Sequence, residues 1–124
     1  KIEAGAEFAI TQPVFDEEAL FRFLDRVEKH SKRVPVLAGV WPLLSYRNAE
    51  FMNNEVPGMM VPREILERMA RCETREESQR TGIEIARAIC EKIHERVAGF
   101  QVSAPLNNVE IALSVLRKGE GREI

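Results

Sequence analysis

The sequence predicts an α/β fold of parallel strands, because three short apolar runs end abruptly and each is followed by helical sequence. The first run stops at Pro13, the second at Trp41-Pro42 and the third at Ala104-Pro105. The second run has no polar alternation, which is typical of a parallel strand buried on both faces. In such folds ligands gather at the carboxyl ends of the strands. The polar residues at those ends are therefore the first candidates for function.

The first strand is predicted over Glu7–Gln12, and Pro13 is expected to stop it because proline lacks a ladder donor. Asp16 is expected to cap a helix that runs to about His30. The apolar residues of that helix follow i, i+3, i+4 spacing and are Ala19, Leu20, Phe23, Leu24 and Val27.

The second strand is predicted over Val34–Trp41. Ser45 is expected to cap a short helix over Tyr46–Asn53. A loop punctuated by proline and glycine follows, and Pro62 is expected in the first turn of the next helix.

A long helix is predicted from Thr74 to about Val97, because Thr74 and Glu77 have the spacing of a capping box. The third strand is predicted over Phe100–Ser103. A last helix follows, for which Asn108 or its neighbour is the expected cap.

The composition indicates one globular domain. The chain has 124 residues, of which 44% are hydrophobic and 31% charged, and 18 basic against 20 acidic residues give a net charge of −2. This balance offers no electrostatic case for a nucleic acid or an anionic membrane, and no apolar stretch is long enough to span one. Cys72 and Cys90 show no metal or disulfide pattern, so a cytoplasmic protein with reduced thiols is expected. Because Lys1 almost directly precedes a strand, a piece of a longer protein is expected.

Three parallel strands cannot close a barrel, and helices on one side of the sheet leave the other side bare. Six apolar residues are expected to be uncovered: Phe8, Ile10, Val36, Val40, Phe100 and Val102. The covering strands would come from residues upstream or from a second copy, which predicts a homo-oligomer. The pattern fits the last three units of a (β/α)8 barrel or an open α/β sheet fragment. The barrel is favoured because no glycine-rich dinucleotide loop follows a strand.

Four segments make the prediction specific: Gly5–Asp16, Ala38–Leu43, Asn48–Gly58 and Gly99–Pro105. Together they resemble the C-terminal part of the methylenetetrahydrofolate reductase family. The variant most similar is the one fused behind a homocysteine S-methyltransferase domain in some bacteria. The resemblance implies strands six to eight of a TIM (β/α)8 barrel within residues 1–117, followed by a charged tail over residues 118–124.

The resemblance also implies a function. The family uses FAD and NAD(P)H to reduce 5,10-methylenetetrahydrofolate to 5-methyltetrahydrofolate in the supply of methyl groups for methionine. Its catalytic glutamate lies on the first strand and its flavin-site aspartate on the fourth. Neither is in this chain, so no catalytic residue is assigned here and the fragment alone is expected to be inactive.

Five residues align with ligand-binding positions of the family: four that fit the pattern and Asn108, which departs from it. Gln12 matches the glutamine that contacts the pterin and, in turn, the nicotinamide amide, and a side-chain amide has the donors and acceptors for both. The competing interpretation is a glutamine that satisfies loop backbone. Lys1 falls where the family has a lysine near the FAD phosphates. Asn48 aligns with a folate-contacting glutamine, and Met52 aligns with a stacking aromatic, unless the register slips by one residue to Phe51.

Asn108 departs from the family, which carries an arginine that approaches the folate. Asparagine is neutral and short, so it is expected to cap the last helix and to weaken folate binding. This departure supports a second hypothesis, a non-catalytic structural or interaction module built on the same barrel. A third is a pterin-binding methyltransferase barrel without flavin, which would need a corrinoid or a thiol-bound zinc.

Overall fold

The computed structural model describes residues 8–29, 35–103 and 109–116. Along the chain the elements are β1 (Ala9–Pro13), α1 (Glu17–Glu28), β2 (Val36–Val40), α2 (Tyr46–Glu55), α3 (Arg63–Ala70), α4 (Arg75–Ile93), β3 (Gly99–Val102) and α5 (Val109–Leu116). The strands form one sheet in the order β1-β2-β3, and both pairings are parallel. The predicted α/β class and the parallel sheet are therefore confirmed.

Local polar residues start the helices where the sequence predicts. The Asp16 carboxylate accepts hydrogen bonds from the backbone N–H groups of Glu18 and Ala19, and Ser45 caps α2 by accepting from Asn48 N. Thr74 accepts from Glu77 N, but the Glu77 carboxylate reaches the N–H of Glu73 and not that of the cap residue. The capping-box pattern thus starts α4 with only one of its two expected bonds.

The core lies between the helices and one face of the sheet. Val36, Ala38 and Val40 of β2 point to this side and are buried, as side chains alternate along a strand. The buried side chains that pack around them come from several helices and loops and include Leu20, Leu24, Leu43, Met52, Met69, Ile85, Ile89 and Ile93. In the described ranges nothing covers the opposite face of β1, where Phe8 and Ile10 are 56% and 51% exposed.

The expected set of bare residues was only partly right. Phe8 and Ile10 are exposed, but Val36 and Val40 are 5% and 2% exposed, and Phe100 and Val102 pack against the core. The reason is the alternation of side chains between the two faces of the sheet. Phe100 pairs with Ala38 and Val102 with Val40, so all of them face the helices.

Several predicted element boundaries differ from the structure by a few residues or fewer, and two of these differences concern Pro13 and the long helix. Pro13 was expected to stop the first strand but is the last residue of β1 and pairs with Gly39. Proline is tolerated there because β1 lies at the edge of the described sheet, where a strand needs fewer ladder donors. The long helix ends at Ile93 and not near Val97, and a turn through Arg96 leads into β3.

One glycine sets how closely α4 approaches the sheet. A Cβ added to Gly82 would overlap the carbonyl oxygen of Leu43 and lie 2.8 Å from its carbonyl carbon. Leu43 lies in the segment between β2 and α2, so α4 presses directly on the backbone that leaves the central strand.

Among the described helices, none combines the length and the apolar character that a membrane-spanning segment needs.

Candidate functional site

The carboxyl end of β1 carries a β-bulge. Ile10 pairs with Leu37 and Pro13 pairs with Gly39, so three steps along β1 correspond to two along β2. Thr11 and Gln12 therefore oppose Ala38 together, the arrangement that defines a bulge. Such bulges are common next to ligand sites, where they redirect a side chain.

The hydroxyl of Thr11 fixes this bulge. Its oxygen accepts a 3.0 Å hydrogen bond from Gly39 N and donates a 2.7 Å hydrogen bond to the carbonyl of Gln12. The strand continues past the bulge through a bond from Val14 N to the Gly39 carbonyl. A Cβ on Gly39 would stand 2.6 Å from the Thr11 carbonyl oxygen, so this close approach requires glycine. The carbonyl of Gln12 is thereby bonded to the side chain of Thr11, which is itself tied to β2 at Gly39.

The Gln12 side chain is exposed and lies beside the loop between α2 and α3. Its Oε1 would be 3.6 Å from a Cβ placed on Gly58, whose φ of 76° lies in the left-handed region that favours glycine. Asn53 closes the same loop by accepting a 2.8 Å hydrogen bond from Val61 N. Asn53 was not selected from sequence, and its contribution here is to shape the loop that faces Gln12.

Asn48 organises the segment after β2. Its Oδ1 accepts a 3.2 Å hydrogen bond from Leu44 N, and its own N–H donates to Ser45 Oγ. The side chain is half-buried. One side of the amide is thus occupied by the chain itself, and a ligand would have to use the Nδ2 group. On the same helix, the hydrogen bond to Glu50 raises the pKa of Tyr46.

Met52 and Phe51 have opposite environments. Met52 is 1% exposed and packs in the core, whereas Phe51 is 56% exposed on the other side of α2. Adjacent helical residues are separated by about 100° around the axis, so a shift of one position decides which of them can meet a ligand. Of these two residues, Phe51 is the one accessible to a planar ring. It is the residue that the sequence analysis offered in place of Met52 if the register slips by one.

Gln101 is an exposed polar residue that the sequence analysis did not select. It pairs with Gly39 across β2 and β3, and it alternates with Phe100 and Val102, whose side chains pack toward the helices. Gln101 consequently points to the uncovered face of the sheet. The signal that could have revealed it is the single polar residue inside the run Phe100–Val102.

The predicted positions of Lys1 and Asn108 lie outside the described residues. Within the described ranges, no cluster of three His, Cys, Asp or Glu side chains is placed to hold a metal ion. The side chains that do converge near the bulge, those of Thr11 and Gln12, are neutral hydrogen-bonding groups. This arrangement can bind and orient a polar planar molecule but brings no general acid or base to it.

The other end of the sheet carries an ion-pair cluster around Arg96. Arg96, in the turn before β3, donates to Asp25 at 2.9 Å and to Glu28 at 3.2 Å, and its guanidinium lies 5.4 Å from the centre of the Phe21 ring. The pKa of Arg96 is raised, mainly by its hydrogen bond to Asp25. A concavity next to it is lined by Leu24, Val27, Glu28, Pro35, Val36, Arg96 and Ala98. It lies at the amino-terminal ends of the strands, away from the bulge.

A parallel sheet covered by helices on one face, with neutral polar groups at its carboxyl-terminal end, defines an α/β protein compatible with part of a barrel. A profile of the family described as "Methylenetetrahydrofolate reductase" matches residues 1–119. The chain belongs to the methylenetetrahydrofolate reductase family, as the resemblance in its motifs predicted.

Two similar proteins illustrate the match. The protein "Methylenetetrahydrofolate reductase 2" of Schizosaccharomyces pombe is 28% identical over 130 residues, which cover 98% of this chain and 20% of that protein. The chain therefore spans about a fifth of the length of this relative. An uncharacterized protein from Clostridium thermocellum that binds two copies of 5-methyl-5,6,7,8-tetrahydrofolic acid has a similar fold, with a TM-score of 0.61 and 21% identity. That comparison covers 92% of this chain and 43% of the other.

Proposed function

We propose that this chain forms the folate-contacting surface of a cytoplasmic, flavin-dependent reductase that converts 5,10-methylenetetrahydrofolate to 5-methyltetrahydrofolate with NAD(P)H. The barrel part would be residues 1–117, as strands six to eight with their helices, and residues 118–124 would be a charged tail. Family membership supports the reaction class. The observation that carries the proposal is the exposed Gln12 amide, held at a bulged strand end beside Gly58.

Gln12 would act by binding and orienting. Its amide offers two donors and an acceptor, so it can bond a ring edge that itself presents both kinds of group. Ile10, which precedes the bulge and is also exposed, would contact the apolar face of the ring. The bulge bonds through Thr11 keep the Gln12 backbone from following the ligand, which makes the orientation specific.

The neutral amide and hydroxyl groups at the bulge suit a folate edge better than the anionic diphosphate of FAD. The FAD diphosphate calls for cationic or backbone N–H groups, and Arg96, at the opposite end of the sheet, is already engaged by two carboxylates. Lys1 remains the proposed phosphate contact of this chain. FAD, held mainly by other segments, would supply the hydride chemistry, while this chain positions the folate. The chain alone would then lack reductase activity.

A substitution at Gln12 tests this proposal in the intact protein that carries the chain. Gln12→Ala should weaken 5-methyltetrahydrofolate binding by about 1–3 kcal/mol, the cost of leaving buried polar partners unpaired. Bound flavin, followed by its visible absorbance, should be retained. Gln79→Ala is the matched control, since Gln79 is a glutamine of α4, on the helical side of the sheet. Folate affinity unchanged by Gln12→Ala would refute the ligand-facing assignment.

The alternative is a non-catalytic module, favoured by the asparagine at position 108 where the family has an arginine. The two functions differ in flavin content. A purified intact protein with a bound-flavin spectrum supports the reductase, and a colourless protein that cannot be reconstituted with FAD supports the module.

A further inference from the structure

We propose that Asn48 determines ligand specificity by donating a hydrogen bond, so that the site selects a planar ring whose edge presents a carbonyl oxygen or an unprotonated nitrogen. This inference rests on the proposed function, because it concerns the same site. The alignment of Asn48 with a folate-contacting position leaves the direction of the hydrogen bond open. The structure fixes that direction, because the chain itself uses the other half of the amide.

The chain holds the Asn48 amide in one orientation. Its Oδ1 accepts a 3.2 Å hydrogen bond from Leu44 N, and the backbone N–H of Asn48 donates a 3.1 Å hydrogen bond to Ser45 Oγ. Turning the amide over would bring the Nδ2 group against the Leu44 N–H, so that two donors would face each other. Oδ1 therefore stays with the backbone, and Nδ2 is the group that remains for a ligand.

The backbone that Asn48 bonds is itself fixed by α4. Leu43, the residue before Leu44, is 1% exposed, and a Cβ added to Gly82 of α4 would overlap its carbonyl oxygen. The Leu44 N–H therefore has little freedom to move with a ligand. A binding side chain that is bonded to rigid backbone keeps its orientation when the ligand arrives.

The Nδ2 group of Asn48 is open to a ligand. Of the residues that the structure describes, none accepts a hydrogen bond from it. Over the same ranges no buried side-chain nitrogen or oxygen lacks a hydrogen-bond partner, so this unbonded nitrogen must be reachable from outside. A ligand acceptor can therefore take the place of water on Nδ2.

The helix α2 places this donor at the end of the sheet where Gln12 lies. It begins shortly after β2 ends, and the loop that follows it reaches Gln12, whose Oε1 would be 3.6 Å from a Cβ on Gly58. No hydrogen bond to a described residue fixes the Gln12 amide, so it can donate or accept, whereas Asn48 can only donate. Asn48 is therefore the residue that distinguishes one ring edge from another.

The test uses equilibrium titrations of the intact protein with two ligands that differ at one edge. The first is 5-methyltetrahydrofolate, which carries a 4-oxo acceptor, and the second is its 4-amino-4-deoxy analogue, in which a donor replaces that acceptor. Wild type should bind the 4-oxo ligand at least about fivefold more tightly, because two facing donors leave each other unpaired.

Asn48→Asp keeps the acceptor for Leu44 N and replaces the Nδ2 donor by an acceptor. The preference for the 4-oxo ligand should therefore fall at least about fivefold. The unfolding temperature should not fall, because a carboxylate in the first turn of α2 is favoured by the helix dipole. Gln79→Glu is the matched control, since it makes the same change from amide to carboxylate at a half-buried position of α4 and should leave the preference unchanged.

Asn48→Ala removes both the donor and the bond to Leu44 N, so it should lower the unfolding temperature as well as the affinity. Wild type that binds the two ligands equally, or Asn48→Asp with the same preference as Gln79→Glu, would overturn this inference and leave the proposed function standing. A lower unfolding temperature of Asn48→Asp would also overturn it, because Nδ2 would then be needed by the fold. Wild type that binds neither ligand would overturn both.

Discussion

The bulge in β1 gives a direct test of how the Gln12 position is held. Thr11→Val keeps the β-branched shape and removes the hydroxyl that accepts from Gly39 N at 3.0 Å and donates to the Gln12 carbonyl at 2.7 Å. Gly39 is buried, so its N–H would lose its partner, at a cost of about 1–2 kcal/mol. The Gln12 carbonyl is in an exposed bond and can turn to water, so it adds little. We expect a total loss of about 1–2 kcal/mol of unfolding free energy.

Urea-induced unfolding at one fixed protein concentration measures this loss, because self-association would otherwise shift the midpoint. Thr81→Val is the matched control: Thr81 lies in α4, and among the described residues its hydroxyl accepts a hydrogen bond only from the Cys72 thiol, at 3.3 Å. That variant should stay within about 0.5 kcal/mol of wild type. Thr11→Val should also weaken folate binding about three- to tenfold, since the Gln12 backbone loses an anchor. If the two valine variants behaved alike in stability and in binding, the bulge would not fix Gln12.

Three further outcomes follow from packing and burial. Gly82→Ala should destabilise the fold by about 1–3 kcal/mol in urea unfolding, because the overlap with Leu43 outweighs the gain of about 1 kcal/mol in helix propensity; equal stability would contradict the close contact. Burial raises the pKa of Cys90 from 9.0 to about 11, so the unfolded thiol ionises first and unfolding free energy should fall as the pH rises from 9.0 to about 11. A Cys90→Ala variant should lack that part of the pH slope. The isolated chain should self-associate at micromolar concentration through the face of Phe8 and Ile10, and Ile10→Lys should reduce this; sedimentation of wild type as a 14.1 kDa monomer would refute it.

The parts of the fold that sequence predicted are those set by local chemistry. Asp16 and Ser45 start their helices because a short polar side chain bonds backbone N–H groups two or three residues away. Such bonds depend on neighbours in the chain and can be read from it. The strands were likewise placed to within a few residues, since apolar runs and the prolines that follow them are local signals.

The parts that sequence missed depend on contacts between distant segments. The bulge at Thr11 arises from its bond to Gly39, 28 residues away, and no local pattern reports it. The requirement for glycine at position 82 comes from Leu43, across the helix-to-loop contact. In the candidate site, Met52 and Phe51 could not be distinguished by hydrophobicity, because both are apolar and only the packing of α2 turns one inward.

The cluster around Arg96 has a consequence for how the molecule comes apart. Arg96 follows α4, and its two carboxylate partners are both on α1, so it joins the first and third β/α units at one end of the sheet. Its partners are more than half exposed, so added salt should loosen this tie while the hydrogen bonds at the bulge are scarcely affected. Added salt would then weaken the contact between α1 and the turn before β3, at the end opposite Gln12, by a small amount. Substitutions at the Arg96 ion pairs could therefore change the stability of the chain at that end without altering how it binds a ligand.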